Sequence, residues 1–277
     1  MSTGRVLTHL VLALGVLLFL FPVWLVFAAS TQEAAAISRG ELSLLPRLEG
    51  LAIYPQVLAG TGEGAQHGAV WRMLGVSFAM ALGIAAGKLV VSLLAAYAVA
   101  FFRFPLRMAG FWLIFLTLML PVEVRIIPTF EVVADFGLIN TFGGLVLPLV
   151  ASATATLLYR QTFLLLPDEL VEAARMDGAG PLRFLRDMAI PLSAPNTAAL
   201  FVILFVYGWN QYLWPLIAVT DPGLQTIMVG IVRMIGIEGQ TYWNRVMATA
   251  MLAMVPPVLV VLAMQRWFVK GLSEGGA

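Results

Sequence analysis

LPDELVEAARMDGAGPLRFLRDMAIPL, from Leu166 to Leu192, lies between two long uncharged stretches. Pro167 and Asp168 read as a helix start, with Asp168 as the cap and Glu169 and Glu172 where acidic groups suit the positive end of a helix. Gly178 reads as the stop, which leaves a helix of about nine residues, too short to hold itself together in water. Its apolar members Leu170, Val171, Ala174 and Met176 therefore need a surface to pack on. Pro181 permits a second short helix carrying Leu182, Phe184 and Leu185, and Pro191 and Pro195 end it. On these grounds alone the segment is an amphipathic hairpin lying on the bilayer or on its own bundle.

The flanking stretches decide the fold class. Of 277 residues, 61% are hydrophobic and 11% charged, with a mean hydropathy of +0.94, which is outside the range of water-soluble domains. A bilayer core of about 30 Å needs roughly 20 largely apolar residues in a helix. Six stretches qualify or nearly do: Val6 to Ala28, Met73 to Phe102 interrupted by Lys88, Met108 to Val122, Phe136 to Tyr159, Thr197 to Val219, and Val246 to Gln265. The third is short, with Glu123 and Arg125 at its end. The first could be a cleaved signal peptide, but its apolar length exceeds that of a signal core. The expectation is an all-α, multi-pass protein with one transmembrane domain over 1–277. It comprises a first helix at 6–28, an irregular outer loop at 29–71, and a five-helix core at 72–268 that includes the loop 161–196.

Orientation follows from arginine and lysine. Nine fall on the side of both termini and the 161–196 loop, against five on the other, which places both termini in the cytoplasm. A net charge of +1 offers no concentrated basic face for nucleic acid. With no cysteine and only His9 and His67, thiol chemistry, disulfides and a histidine metal site have no residues to use. No phosphate-binding loop is present either: Gly83-Ile84-Ala85-Ala86-Gly87-Lys88 has the wrong spacing and lies within a span.

The hairpin's pattern is specific. Glu172-Ala173-Ala174, three residues, Gly178, nine residues, then Met188-Ala189-Ile190-Pro191 closely resembles the EAA loop of ABC-importer permeases, with Met188 and Ile190 as volume-conserving departures. Its position between the fourth and fifth spans resembles the carbohydrate-type permeases. Phe102 to Arg107, Thr117 to Arg125, Ala151 to Thr156 and Gly208 to Pro215 are similar to the permease subunits of bacterial sn-glycerol-3-phosphate importers. The resemblance implies an ABC type I importer fold with six transmembrane helices in the bacterial inner membrane. It also implies a second, homologous permease, two ATPase subunits that bind ATP and Mg, and an external substrate-binding protein. This chain would hold no cofactor and catalyse nothing. Glu172, Ala173, Ala174, Asp177 and Gly178 would couple it to the ATPase, and the cargo would be sn-glycerol-3-phosphate or a related glycerophosphodiester, or else a neutral sugar.

Inside the membrane, Lys88 is the costly residue, either a contact for an anionic substrate or a lysine satisfied by neighbouring polar groups. Gly75, Ala79, Gly83 and Gly87 run beside it at helical spacing, as in membrane helices that approach closely. Arg125 reads as a phosphate receiver or a structural ion pair. Asn210, Gln211, Tyr212 and Trp214 read as pore lining or as interface groups, because amides in a bilayer need partners. An ion-coupled secondary transporter would show intramembrane acids, and none of the 15 acids lies centrally in a span.

Overall fold

The computed structural model describes residues 3–65, 68–119, 122–235 and 241–274, and every regular element among them is helical. In chain order these are α1 (Thr3–Ser30), α2 (Ala34–Ser38), α3 (Ile53–Ala59), α4 (Val70–Phe101) and α5 (Arg107–Met119). Next come α6 (Val122–Asp135), α7 (Phe142–Val146), α8 (Ala153–Leu164), α9 (Asp168–Met176) and α10 (Pro181–Phe184). The last five are α11 (Ile190–Leu192), α12 (Ala194–Trp209), α13 (Leu213–Ala218), α14 (Ile227–Met234) and α15 (Trp243–Glu274). Three helices are long and apolar enough to span a bilayer on their own, and up to five spans result if each of two bent pairs counts as one. The third expected span, Met108 to Val122, crosses Leu120 and Pro121, which lie outside the described residues, as does His67.

Two of the six apolar stretches are not single helices. The fourth breaks into α7, a 3-10 turn at Leu147–Leu149 and α8, with a bend of 51° across the pair. Pro148 withholds an N–H, and Ser152 starts α8 afresh by accepting a hydrogen bond from the Ala155 amide at 3.3 Å. The fifth ends at Trp209, leaves Asn210 to Tyr212 outside helix, and resumes as α13. Ahead of α12, Pro191 cannot donate to the carbonyl one turn back, and the turn Leu185–Ala189 widens into π-helix. The segment Pro181–Leu192 then bends 73° into α12.

The chain divides into two compact units, Met1–Val76 with Gln225–Pro256, and Ser77–Leu224 with Pro257–Ala277. In the first, the expected irregular loop 29–71 contains α2, a 3-10 turn at Glu49–Ala52 and α3, which corrects the sequence reading. These pieces are too short to display a helical period, and polar side chains pin them. Ser30 Oγ meets Tyr54 Oη at 2.8 Å, Gln32 Nε2 donates to the Ser43 carbonyl at 2.6 Å, and the Arg47 amide donates to Thr31 Oγ1 at 2.9 Å. A side chain at Gly50 would collide with the Thr31 carbonyl.

In the second unit, part of the small-residue stripe of α4 acts as the seam expected of it. Gly83 and Gly87 meet Val146 and Val150, and on another face Gly208 of α12 lies against Ala81. Gly75 has nothing within 4 Å and Ala79 is exposed, so the stripe is not a seam along its whole length. A Cβ on Gly208 would stand 2.9 Å from the Ala81 Cα, with backbone on both sides and no room to yield. Gly208→Ala should destabilise the purified protein by about 1–3 kcal/mol, read as a lower thermal unfolding midpoint in detergent. Gly75→Ala should leave that midpoint unchanged or raise it, because only helix propensity changes there.

Candidate functional site

The nine residues Asp168–Met176 form α9, with Pro167 rather than Asp168 in the cap position and no side-chain cap bond. Asp168 and Glu169 occupy the first turn, so the sequence start was placed one residue late, and the acids still face the positive helix end. Proline explains the shift: its fixed φ and extended ψ of 137° leave the chain outside the helix, ready to begin. At the other end Asp177 closes the helix and Gly178 takes a left-handed φ of 71°. There the Gly178 amide donates to the Arg175 carbonyl at 3.0 Å and the Ala179 amide to that of Ala174 at 2.9 Å. Glycine adopts this geometry at no steric cost, and it turns the chain sharply into α10.

The two faces of α9 differ. Ala174 is 2% exposed and, with half-buried Val171, borders a cavity of about 330 Å³ closed by Tyr97, Phe101 and Phe184. That floor is a ring cluster: Tyr97 and Phe101 have centroids 5.1 Å apart, Phe101 and Phe184 5.2 Å, and Phe101 and Phe163 5.7 Å. Each such pair adds about 0.5–1.5 kcal/mol beyond area burial. Tyr97 Oη donates to the Pro181 carbonyl at 2.7 Å, tying the end of α4 directly to the hairpin. On the opposite face Glu172 and Met176 are exposed, Met176 at 84%; Arg175 at the cavity rim, Asp177 at the helix end and Leu182 of α10, 79% exposed, are bare as well. Two large apolar side chains left bare outside the spans, rimmed by charges, make a surface that suits a protein partner.

Lys88 is 6% exposed, and its Nζ sits 3.8 Å from the centroid of the Tyr207 ring. A desolvated cation–π contact contributes about 2 kcal/mol. Placing a lysine at the centre of a span costs about 2.5–3.5 kcal/mol even on the lenient insertion scale, so the ring does not fully offset the charge. Arg125, half-buried on α6, lies close enough for the two positive charges to repel. Among the described residues neither forms an ion pair; the side chain of Glu123 lies outside them.

Residues 210–214 sit at the break between α12 and α13. Asn210 is exposed, Gln211 and Tyr212 are half-buried, and Gln211 Nε2 donates to the Tyr207 carbonyl at 3.2 Å. Trp214 is 2% exposed, and its indole N–H donates to the Gly144 carbonyl at 3.1 Å, so its one polar atom is taken by backbone. Sequence reasoning did not single out Tyr97, Phe101 or Tyr207. Tyr97 and Phe101 are four apart at the end of an apolar stretch, a legible signal for one helix face. The pairing of Tyr207 with Lys88 spans 119 residues and leaves no local trace. No group of three His, Asp or Glu side chains among the described residues converges as a metal site would require.

The family described as binding-protein-dependent transport system inner membrane component matches residues 88–274, which include the hairpin and the bundle around it. The chain belongs to this family. It is also 55% identical over 272 residues to the sn-glycerol-3-phosphate transport system permease protein UgpE of Agrobacterium fabrum, covering 98% of this chain and 96% of that one. The UgpE proteins of Rhizobium meliloti and Salmonella typhi are each 53% identical, over 98% and 97% of this chain and 96% of their own length. A solved bacterial ABC transporter involved in import of the acidic polysaccharide alginate shares the fold. Its TM-score is 0.78 at 23% identity, over 97% of this chain and 98% of that one. The permease is thus a multi-pass inner-membrane subunit of an ABC importer, built on the type I fold, and its relatives are named as transport proteins rather than enzymes.

For an ABC permease the Tyr97 hydroxyl is the one direct polar tie from α4 to the hairpin among the described hydrogen bonds. Tyr97→Phe keeps the ring and removes about 1 kcal/mol. The expected result is folded, assembled permease that transports less substrate per ATP hydrolysed than the wild type, measured in proteoliposomes.

Proposed function

We propose that this permease forms half of a translocation pore for sn-glycerol-3-phosphate or a related glycerophosphodiester, paired with a second, homologous permease. An external substrate-binding protein delivers the cargo. Two ATPase subunits hold ATP and Mg, and one of them docks on the cytoplasmic hairpin of this chain. The observation that carries the reading is the division of α9 into a face seated on the aromatic floor and a bare, charged and apolar face. A helix so built is a lever: what grips its outer face moves the floor, and the floor includes the end of α4. Glu172 and Asp177 supply polar contacts to the ATPase, Ala173 leaves room for its approach, Ala174 fits the permease's own floor, and Gly178 sets the angle of the turn.

ATP-driven closure of the ATPase pair then biases the bundle between inward and outward access, two packed states rather than a continuum. The arginine bias supports both termini and the hairpin lying in the cytoplasm. The named cargo of relatives more than half identical over nearly the full length supports the substrate class. The substrate path runs past Lys88 and Arg125 and the non-helical turn of Asn210, Gln211 and Tyr212, with Trp214 bracing that turn against α7.

Reconstitution with the partner permease, ATPase and binding protein tests the reading. Glycerol-3-phosphate should stimulate ATP hydrolysis and accumulate inside; stimulation by another ligand alone overturns the substrate, and uptake without ATP overturns the machine. In that system Gly178→Val should abolish uptake and weaken retention of the ATPase, because a β-branched residue resists a φ of 71°. Gly178→Asn, which tolerates the left-handed region, should retain both.

A further inference from the structure

We propose that Lys88, seated on the ring of Tyr207, is an anion-binding station inside the permease that receives the phosphate group of the cargo in transit. The inference rests on the reading above and adds the site at which a charged cargo is met within the bundle. Lys88 is almost wholly buried, yet its partner is an aromatic face, which carries no formal charge. No ion pair to Lys88 exists among the described side chains, which do not include that of Glu123, and the ring of Tyr207 is the partner they show. Arg125, a second cation on the same proposed path, is half-buried on α6.

The surroundings fit a phosphate rather than a neutral sugar. A phosphomonoester brings close to two negative charges and three acceptor oxygens. The Lys88 ammonium is a compact, rotatable donor, and the Tyr207 hydroxyl has no hydrogen-bond partner among the described residues. One turn on, Gln211 bonds the Tyr207 carbonyl, and Asn210 and Tyr212 lie in the same non-helical break. Gly87, the residue before Lys88, abuts Val150, which fixes the height of the lysine in the bundle. The ring parks the ammonium when no anion is present, and a phosphate competes for it with a full charge, so binding requires only the exchange of a weaker partner for a stronger one.

The test uses the assembled importer in proteoliposomes, with binding protein at saturation, and compares Lys88→Met, which keeps length and removes charge, with Lys88→Arg, which keeps charge. Lys88→Met should assemble and retain ATP hydrolysis stimulated by glycerol-3-phosphate and its binding protein, while uptake falls by about ten-fold or more, so that transport per ATP collapses. Lys88→Arg should keep most of the uptake. Wild-type uptake by Lys88→Met overturns the station, as does its failure to assemble or a parallel loss of uptake and stimulated hydrolysis, either of which makes the lysine a packing element. A wild-type importer that takes up some other ligand and not glycerol-3-phosphate overturns the substrate reading instead.

Discussion

The burial of Ala174, 2% exposed at the edge of a cavity lined by Tyr97, Phe101 and Phe184, is the constraint on which the rest of this permease depends. A nine-residue helix has too few internal hydrogen bonds to persist in water, so α9 exists because its inner face is buried. The floor itself is assembled from three segments of the chain, with Tyr97 and Phe101 from α4, Phe163 from α8 and Phe184 from α10. The same packing that makes the helix possible therefore attaches it to the spans. Stability and coupling are one arrangement, because the rings pack on one another and the Tyr97 hydroxyl ties them to the Pro181 carbonyl of the hairpin.

Irregular backbone in the membrane follows a second logic. The fourth apolar stretch is interrupted around Pro148, and the fifth at the non-helical residues Asn210 to Tyr212. Groups freed at those breaks are re-bonded inside the protein: Trp214 donates to the Gly144 carbonyl, Ser92 Oγ to that of Ser152, and the Thr220 amide to Asn140 Oδ1. Lipid offers no alternative partners, so such turns survive only where the bundle supplies them. The turn between α12 and α13 is one of them and carries the amides and hydroxyl of residues 210–212.

Much of this was legible in the chain. Apolar length placed the long spans, and proline, acids and glycine marked α9 to within one residue, because those signals are local. The EAA pattern identified the hairpin and its setting before any coordinates. What the chain did not display is pairing at a distance: nothing near Lys88 names Tyr207, and nothing near Tyr97 names Pro181. The breaks in the fourth and fifth stretches were misjudged because hydropathy counts apolar residues and is blind to whether their backbone stays helical. The short helices of 29–71 were missed for the opposite reason, since pieces of five to seven residues held by side-chain hydrogen bonds show no period to detect.

The central claim is that α9 and the end of α4 move as one body. The chain contains no cysteine, so spin labels placed by Met176→Cys and Arg103→Cys on the isolated permease, before assembly with unlabelled partners, report a single distance. That distance should stay constant between nucleotide-free and ATP-trapped states while labels across the two permeases change separation. A change in the Met176 to Arg103 distance of about 5 Å, one helical turn, would contradict the account, because the hairpin would then slide over its floor rather than carry it.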